Sequence, residues 1–263
     1  MKTALVTGAT DGIGLEVARQ LTAKKWRVLV HGRNREKIQK VVDELGENSF
    51  GYQADFSDMK QVSKLAKKIS KSELRLDALI NNAGVIMKDR QTTSDGLEMT
   101  MAVNYFAPFI LTNGLIDLMK KTASARIINF SSRAHKFAKI DIDDLNIENN
   151  FSGRGAYSTS KLANLMFSNE LSRRLPEGIT SNALHPGIIN TKLLRGGFGI
   201  IGISASRGAR TAVYIATSDK VNTETGQYFI RSKKAKPSSQ ATDIELASKL
   251  WKKSEQICSA YLK

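Results

Sequence analysis

The sequence is short of several residue types, and each shortage excludes something. Only one cysteine, Cys258, occurs in 263 residues, so no internal disulfide can form and a reducing compartment is allowed. Four prolines are present, with no Pro/Ser-rich linker, low-complexity segment or internal repeat, and at ~150 residues per domain residues 1–263 read as one domain. No apolar run approaches the ~18 residues of a membrane span. The most apolar, Phe198 to Ile203, contains two glycines. No leader is visible, since Met1-Lys2 passes at once into strand-like Thr3-Ala-Leu-Val-Thr7. The expectation is a soluble, cytoplasmic protein without a membrane span.

Acidic residues are also scarce: 25 Asp and Glu against 40 Lys and Arg, a net charge of +15. The excess is spread along the chain rather than gathered in one arm. Over 57–71, Val62, Leu65, Ala66 and Ile69 form an apolar stripe, while Lys60, Lys64, Lys67, Lys68 and Lys71 occupy the remaining face. Solvated helix faces with affinity for anionic ligands explain this pattern better than specific nucleic-acid recognition. No zinc-finger or other metal-ligand spacing and no RNA-binding aromatic signature is present. Hydrophobic residues at 41% and charged residues at 25% are ordinary for a chain with a real core, and exclude disordered and collagen-like classes.

Short Val/Ile/Leu-rich runs predict strands at Ala4–Thr7, Arg27–His31, Phe50–Gln53, Asp77–Asn81, Arg126–Phe130, Thr180–His185 and Gln227–Ile230. Several are continuously apolar, as strands covered on both faces are. Amphipathic helical patterns lie between them. One carries Ile38, Val41, Val42 and Leu45, with Asn34 as N-cap and Gly46 as C-terminal stop. This alternation predicts an α/β fold with a parallel sheet and helices on both faces. Two long irregular segments, Arg133–Arg154 and a substrate-loop region at about 187–204, are candidates for function. Within the second, Phe198–Ile203 could close over a substrate.

The first strand enters Thr7-Gly8-Ala9-Thr10-Asp11-Gly12-Ile13-Gly14, and a helix follows. Glycines at such a turn let the backbone approach a pyrophosphate, and the helix N-terminus supplies free N–H groups and a positive dipole end. The spacing is neither Gly-x-Gly-x-x-Gly nor a P-loop. After the second strand, Arg33 and Asn34 stand where an NAD-specific protein places an acid for the ribose hydroxyls. A guanidinium there can pair with a 2′-phosphate, which favours NADP(H) over NAD(H); Lys37 adds charge one turn on. His31 reads as a packed strand-end residue. Tyr157 and Lys161, four apart on a helical pattern, share one face. An ammonium beside a phenol is expected to lower the phenol pKa from ~10 towards the range useful for acid–base work.

These pieces together resemble the short-chain dehydrogenase/reductase family, and within it the retinol-dehydrogenase-like branch. The likeness covers nearly the whole chain. It is carried by Thr7-Gly8-x-x-x-Gly12-x-Gly14, Ala54-Asp55-Phe56, Asn81-Asn82-Ala83-Gly84, Val103-Asn104, Ser131-Ser132, Tyr157-x-x-x-Lys161 and Pro186-Gly187 with Thr191. Branch-specific strings are Asn129-Phe-Ser-Ser-Arg-Ala-His135, Tyr157-Ser-Thr-Ser-Lys-Leu-Ala-Asn164 and His185-Pro-Gly187. The resemblance implies a doubly wound Rossmann fold of about seven parallel strands. It places Asp55 and Phe56 at the adenine and Asn82, Ala83 and Gly84 in the cofactor groove. Gly8, Asp11, Gly12, Ile13 and Gly14 lie at the phosphates, and Pro186, Gly187, Ile188 and Thr191 beside the nicotinamide.

In the same terms Tyr157 is the proton donor, Ser132 hydrogen-bonds the substrate oxygen, and Ser131 supports the turn. Lys161 binds the nicotinamide ribose and Asn104 holds a proton-relay water. The activity implied is hydride transfer between NADP(H) and the carbonyl or alcohol of an apolar or aromatic small molecule. A non-catalytic NADP(H) sensor of the same fold is the competing class, and the complete Asn104, Ser132, Tyr157 and Lys161 set favours the enzyme. His135 and His185 read as structural. Homodimer, homotetramer and monomer all remain open.

Overall fold

The computed structural model describes residues 1–188 and 204–262. Eight strands form one sheet in the order β3-β2-β1-β4-β5-β6-β7-β8. They are β1 (Thr3–Val6), β2 (Arg27–Gly32), β3 (Ser49–Gln53), β4 (Ala78–Asn81), β5 (Ala125–Phe130), β6 (Ile179–His185), β7 (Tyr228–Ile230) and β8 (Lys233–Lys234). The first seven are parallel, each within a residue or so of its expected place. The eighth is antiparallel to β7 and has no counterpart in the sequence expectation. Its two lysines carry no apolar pattern. The turn before it, Arg231-Ser232, takes positive φ at both residues (50° and 60°) without the Asn-Gly that usually announces such a hairpin.

Alternation within the apolar strands divides the core between the two faces of the sheet. Leu5, Leu29, Leu79 and Ile127 point to one face, under α3 (Met59–Ser72), α4 (Met99–Met119) and α5 (Gly153–Arg174). Val6, Val28, Ile80 and Phe130 point to the other, under α1 (Gly12–Ala23), α2 (Arg35–Leu45) and α6 (Ala205–Thr217). The doubly wound Rossmann arrangement follows, with chain reversal between β1 and β4 opening a crevice at the strand C-termini. The caps are those expected: Asn34 Oδ1 accepts from Lys37 N–H at 2.9 Å, and Gly46 ends α2 at φ 86°. The C-terminal helix α7 (Ile244–Cys258) packs by Leu250 and Trp251, the latter stacked on Phe167 at 5.8 Å.

Two features of α4 differ from the sequence expectation. Its 21 residues are long and apolar enough, by length and composition, to cross a membrane, whereas the expectation was that no stretch would qualify; 78% of its apolar window is buried inside the fold. Mean hydropathy counts a core helix and a spanning helix alike. In addition, Ala102–Phe106 winds as a π-turn, a wider coil found mostly at functional sites. Asn104 lies inside that turn.

Candidate active site

A cleft of about 390 Å³ runs along the strand C-termini, from Arg33 at one end to Tyr157 and Lys161 at the other. Its first wall is the turn between β1 and α1. Gly14 stands so close to the chain that a Cβ there would fall 2.2 Å from the Gly8 carbonyl oxygen. Only glycine lets the turn fold onto α1. Asp11 caps that helix, its Oδ1 accepting from Gly12 N–H at 2.7 Å. Asn82 Nδ2 donates to the Thr7 carbonyl at 2.8 Å, and Thr7 Oγ1 accepts the Asn82 and Ala83 amides at 3.0 Å each. The ends of β1 and β4 are thereby tied beneath the cleft.

His31 is packed, as the sequence implied, yet its ring also forms part of the cleft wall. Gly8 N–H donates to its Nδ1 at 3.3 Å, leaving Nε2–H for the Ala54 carbonyl at 3.2 Å, and the ring stacks on Phe56 at 4.2 Å. Burial pulls its pKa down to about 4, so it is neutral. Asp55 turns its Oδ1 onto the Ser57 amide and hydroxyl. Arg33 is exposed on the cleft rim. Asn34 does not line the cleft; its side chain is committed to capping α2.

At the other end, Tyr157 and Lys161 project from the first turns of α5. That helix starts against the β4–α4 segment: a Cβ on Gly153 would lie 2.1 Å from the Met87 carbonyl oxygen. Lys161 is buried, and its Nζ donates to the Phe130 carbonyl at 2.9 Å. A Cβ on Gly84 would fall 3.3 Å from Asn104 Oδ1 and 3.5 Å from Lys161 Nζ, so the three converge. Asn104 spends its side chain on structure. Its Oδ1 accepts from Val85 N–H at 2.7 Å, while Nδ2 donates to the Val85 carbonyl and to Ser160 Oγ.

The two serines separate by geometry. Ser131 Oγ donates to the Lys161 carbonyl at 2.7 Å, which fixes β5 to α5. The Ser132 hydroxyl instead lies close enough to the Tyr157 phenol to oppose its upward pKa shift, and Oγ accepts from Ala134 N–H at 3.2 Å. The expected effect of Lys161 on Tyr157 is not found. Burial pushes the phenol up to about 12, against the opposing pull of the nearby Ser132 hydroxyl. Nζ lies over the ring, 5.5 Å from its centroid. Lys161 is itself drawn down to about 8 by burial. Desolvation outweighs charge–charge attraction in this dry corner.

Pro186 lines the cleft, whereas Gly187 and Ile188 line an adjacent cavity of about 1000 Å³, with Ile230 and four arginines, 133, 207, 210 and 231. Thr191 and the Phe198–Ile203 run lie outside the described residues. Sequence reasoning passed over Thr10, Gly32, Val85, Val103 and Phe130, which complete the cleft wall. Their contribution is position at strand ends or beside the π-turn, which residue type alone does not announce.

The model of the short chain dehydrogenase family matches residues 2–197. The chain belongs to the short-chain dehydrogenase family. This dehydrogenase is 36% identical to human retinol dehydrogenase 13, over 97% of its own length and 84% of the relative's. Human retinol dehydrogenase 14 gives 34% over 97% and 85%, and a chloroplastic short-chain dehydrogenase of Brassica napus 37% over 95% and 86%. Among solved structures, an uncharacterized protein from Mycobacterium paratuberculosis superposes with a TM-score of 0.84 at 30% identity, covering 98% of this chain and 94% of that one. A short chain dehydrogenase from Escherichia coli in complex with NADPH shares the fold at a TM-score of 0.73 and 23% identity, over 88% and 97%. The dehydrogenase is therefore an oxidoreductase of the retinol-dehydrogenase-like branch, and the sensor reading gains no support from these relatives.

Proposed function

We propose that this dehydrogenase moves hydride between NADP(H) and the carbonyl or alcohol of an apolar or aromatic small molecule. The observation that carries the reading is Tyr157 with buried Lys161 at one end of a cleft whose other end is a helix N-terminus and Arg33, the Ser132 hydroxyl lying near the phenol. The residues present fit a dinucleotide. Gly14 lets the turn press onto α1, which sets the first-turn amides into the cleft wall. The amides of Ile13 and Gly14, in the first turn of α1, have no partner within the helix and suit a pyrophosphate. Arg33 offers a fork to a 2′-phosphate.

When bound, the nicotinamide would supply the hydride. Tyr157, with its pKa pushed up to about 12, keeps its proton at neutral pH and can donate it to a carbonyl oxygen. The Ser132 hydroxyl holds that oxygen beside the phenol. Lys161, fixed by Phe130, places a cation at the cofactor-ribose side of Tyr157. Ile188, Ile230 and Pro186 offer apolar contact to the body of the substrate. The test is NADPH oxidation with benzaldehyde and decanal, repeated with NADH. Turnover that is faster with NADPH supports the reading; no turnover of either aldehyde with either nucleotide contradicts it.

A further inference from the structure

The peptide unit between Ser132 and Arg133 is held at both of its polar atoms. Its carbonyl oxygen accepts from the His135 ring, Nδ1 at 2.5 Å. Its N–H donates to Nδ1 of His185 at 3.3 Å. In a trans peptide these two groups point in opposite directions, so the histidines grip the plane from opposite sides. His185 ends β6, whereas His135 sits in a short 3₁₀ helix, Arg133–Phe137. On the upstream side, Ser131 is bonded to the Lys161 carbonyl. Ser132 therefore lies between anchors on both sides, and its hydroxyl, which accepts from Ala134 N–H, keeps its proton to turn towards Tyr157.

The tautomers follow from the partners. Ser238 N–H donates to His135 Nε2 at 3.1 Å, so the proton of that neutral ring is on Nδ1, where the Ser132 carbonyl needs it. On His185, Nδ1 accepts and must be bare. Both side chains are buried, and burial draws both pKa values down, His185 to about 4. The His135 ring also meets Tyr228 edge-on at 5.3 Å, a contact with β7, the strand beside β6.

We propose that His135 and His185 are positioning residues for Ser132, clamping the peptide that follows it so that its hydroxyl stays on the Tyr157 phenol. The clamp rests on the reading of Ser132 and Tyr157 given above. A loosened peptide lets Ser132 swing away from the phenol, and misplacement by about 1 Å costs on the order of 100-fold in rate. Neither histidine touches the reacting atoms, so the loss falls on kcat and spares NADPH binding.

The test uses two pairs of variants in the full chain. His135→Leu and His185→Leu remove the side-chain hydrogen bonds, while the His135 backbone N–H stays on the Ser132 carbonyl at 3.1 Å. His135→Asn restores a donor near the former Nδ1, and His185→Asn restores an acceptor there. With benzaldehyde and NADPH, each leucine variant should lose about 100-fold in kcat per NADPH-binding site, with NADPH affinity within a few-fold. KM should stay within a few-fold for His135→Leu, because His135, unlike His185, does not line the adjacent cavity. Each asparagine variant should recover much of the loss. Leucine variants that bind NADPH and keep kcat would overturn the clamp. Imidazole nitrogen NMR on the wild-type protein gives an answer that does not depend on turnover. The clamp requires a proton on Nδ1 of His135 and none on Nδ1 of His185 at neutral pH, and the reverse at either ring overturns it. Absent benzaldehyde turnover with the expected tautomers would sink the proposed reaction and leave the clamp geometry standing.

Discussion

The two ends of the cleft are made of different material. At the β1–β2 end the contacts come from backbone: a turn pressed onto a helix by Gly14, unpaired first-turn amides, and exposed Arg33 on the rim. At the β5–β6 end they come from side chains removed from water, with Lys161, His135 and His185 all buried and titrating far from, or displaced from, their ordinary values. The first arrangement is suited to holding a charged ligand that brings its own phosphates. The second is suited to governing one proton, because in a dry site a hydrogen bond decides where that proton sits. Binding and chemistry are thus separable here, and substitutions at one end should leave the other nearly intact.

The sharpest break in that comparison is Tyr157→Phe. Turnover should fall by about 100- to 10,000-fold, the range for loss of a general acid, with NADPH affinity within a few-fold. Steady-state rates beside a fluorescence titration of bound NADPH check both halves, and substantial residual turnover would remove Tyr157 from the proton step. At the opposite end, Gly14→Ala puts a Cβ into the Gly8 carbonyl at 2.2 Å. Forcing the turn open should cost at least about 2–3 kcal/mol and weaken NADPH binding by an order of magnitude, measured by denaturant unfolding and the same titration. Unchanged affinity would mean that the turn does not cradle the nucleotide.

Arg33→Asp sharpens the comparison further. Charged hydrogen bonds are worth about 1.5–3 kcal/mol, so NADPH affinity should fall by about 10- to 100-fold while NADH affinity holds or rises. An unaltered ratio would remove Arg33 from the phosphate. The smallest effect concerns stability. His31 and His185 are each drawn to about 4 from an ordinary value of 6.5. Between those values the unfolded state binds more protons than the folded one. Stability is therefore present at neutral pH and is lost as pH falls through that window, at up to about 1.4 kcal/mol per histidine per pH unit. Denaturant unfolding of His31→Asn across the same range should show a shallower slope than wild type, and an identical slope would mean that His31 is not held neutral.

Much of the molecule was legible in the sequence because its signals are local. Apolar runs gave seven strands, Asn34 and Gly46 bracket α2 as expected, and Tyr157 and Lys161 share a helix face. What escaped depends on distant partners. His135 reaches Ser238, 103 residues away, and His185 reaches Arg133, 52 away, so a reading residue by residue sees only packed histidines. The π-turn around Asn104 follows from packing rather than from any residue signature. The direction of the Tyr157 shift is invisible in the sequence for the same reason. Spacing along a helix shows that an ammonium is near, whereas the degree of burial that overrides it is a property of the finished fold. β8 escaped because two lysines and an Arg-Ser turn carry no strand pattern.

The measurement that tests the account most directly is a parallel titration of the wild-type protein with NADPH and with NADH, followed by nucleotide fluorescence. The cleft described here predicts saturable binding of both, with NADPH at least about tenfold tighter through Arg33. Equal affinities would contradict the assignment of the rim arginine to a phosphate, and failure of either nucleotide to bind would contradict the cofactor cleft itself.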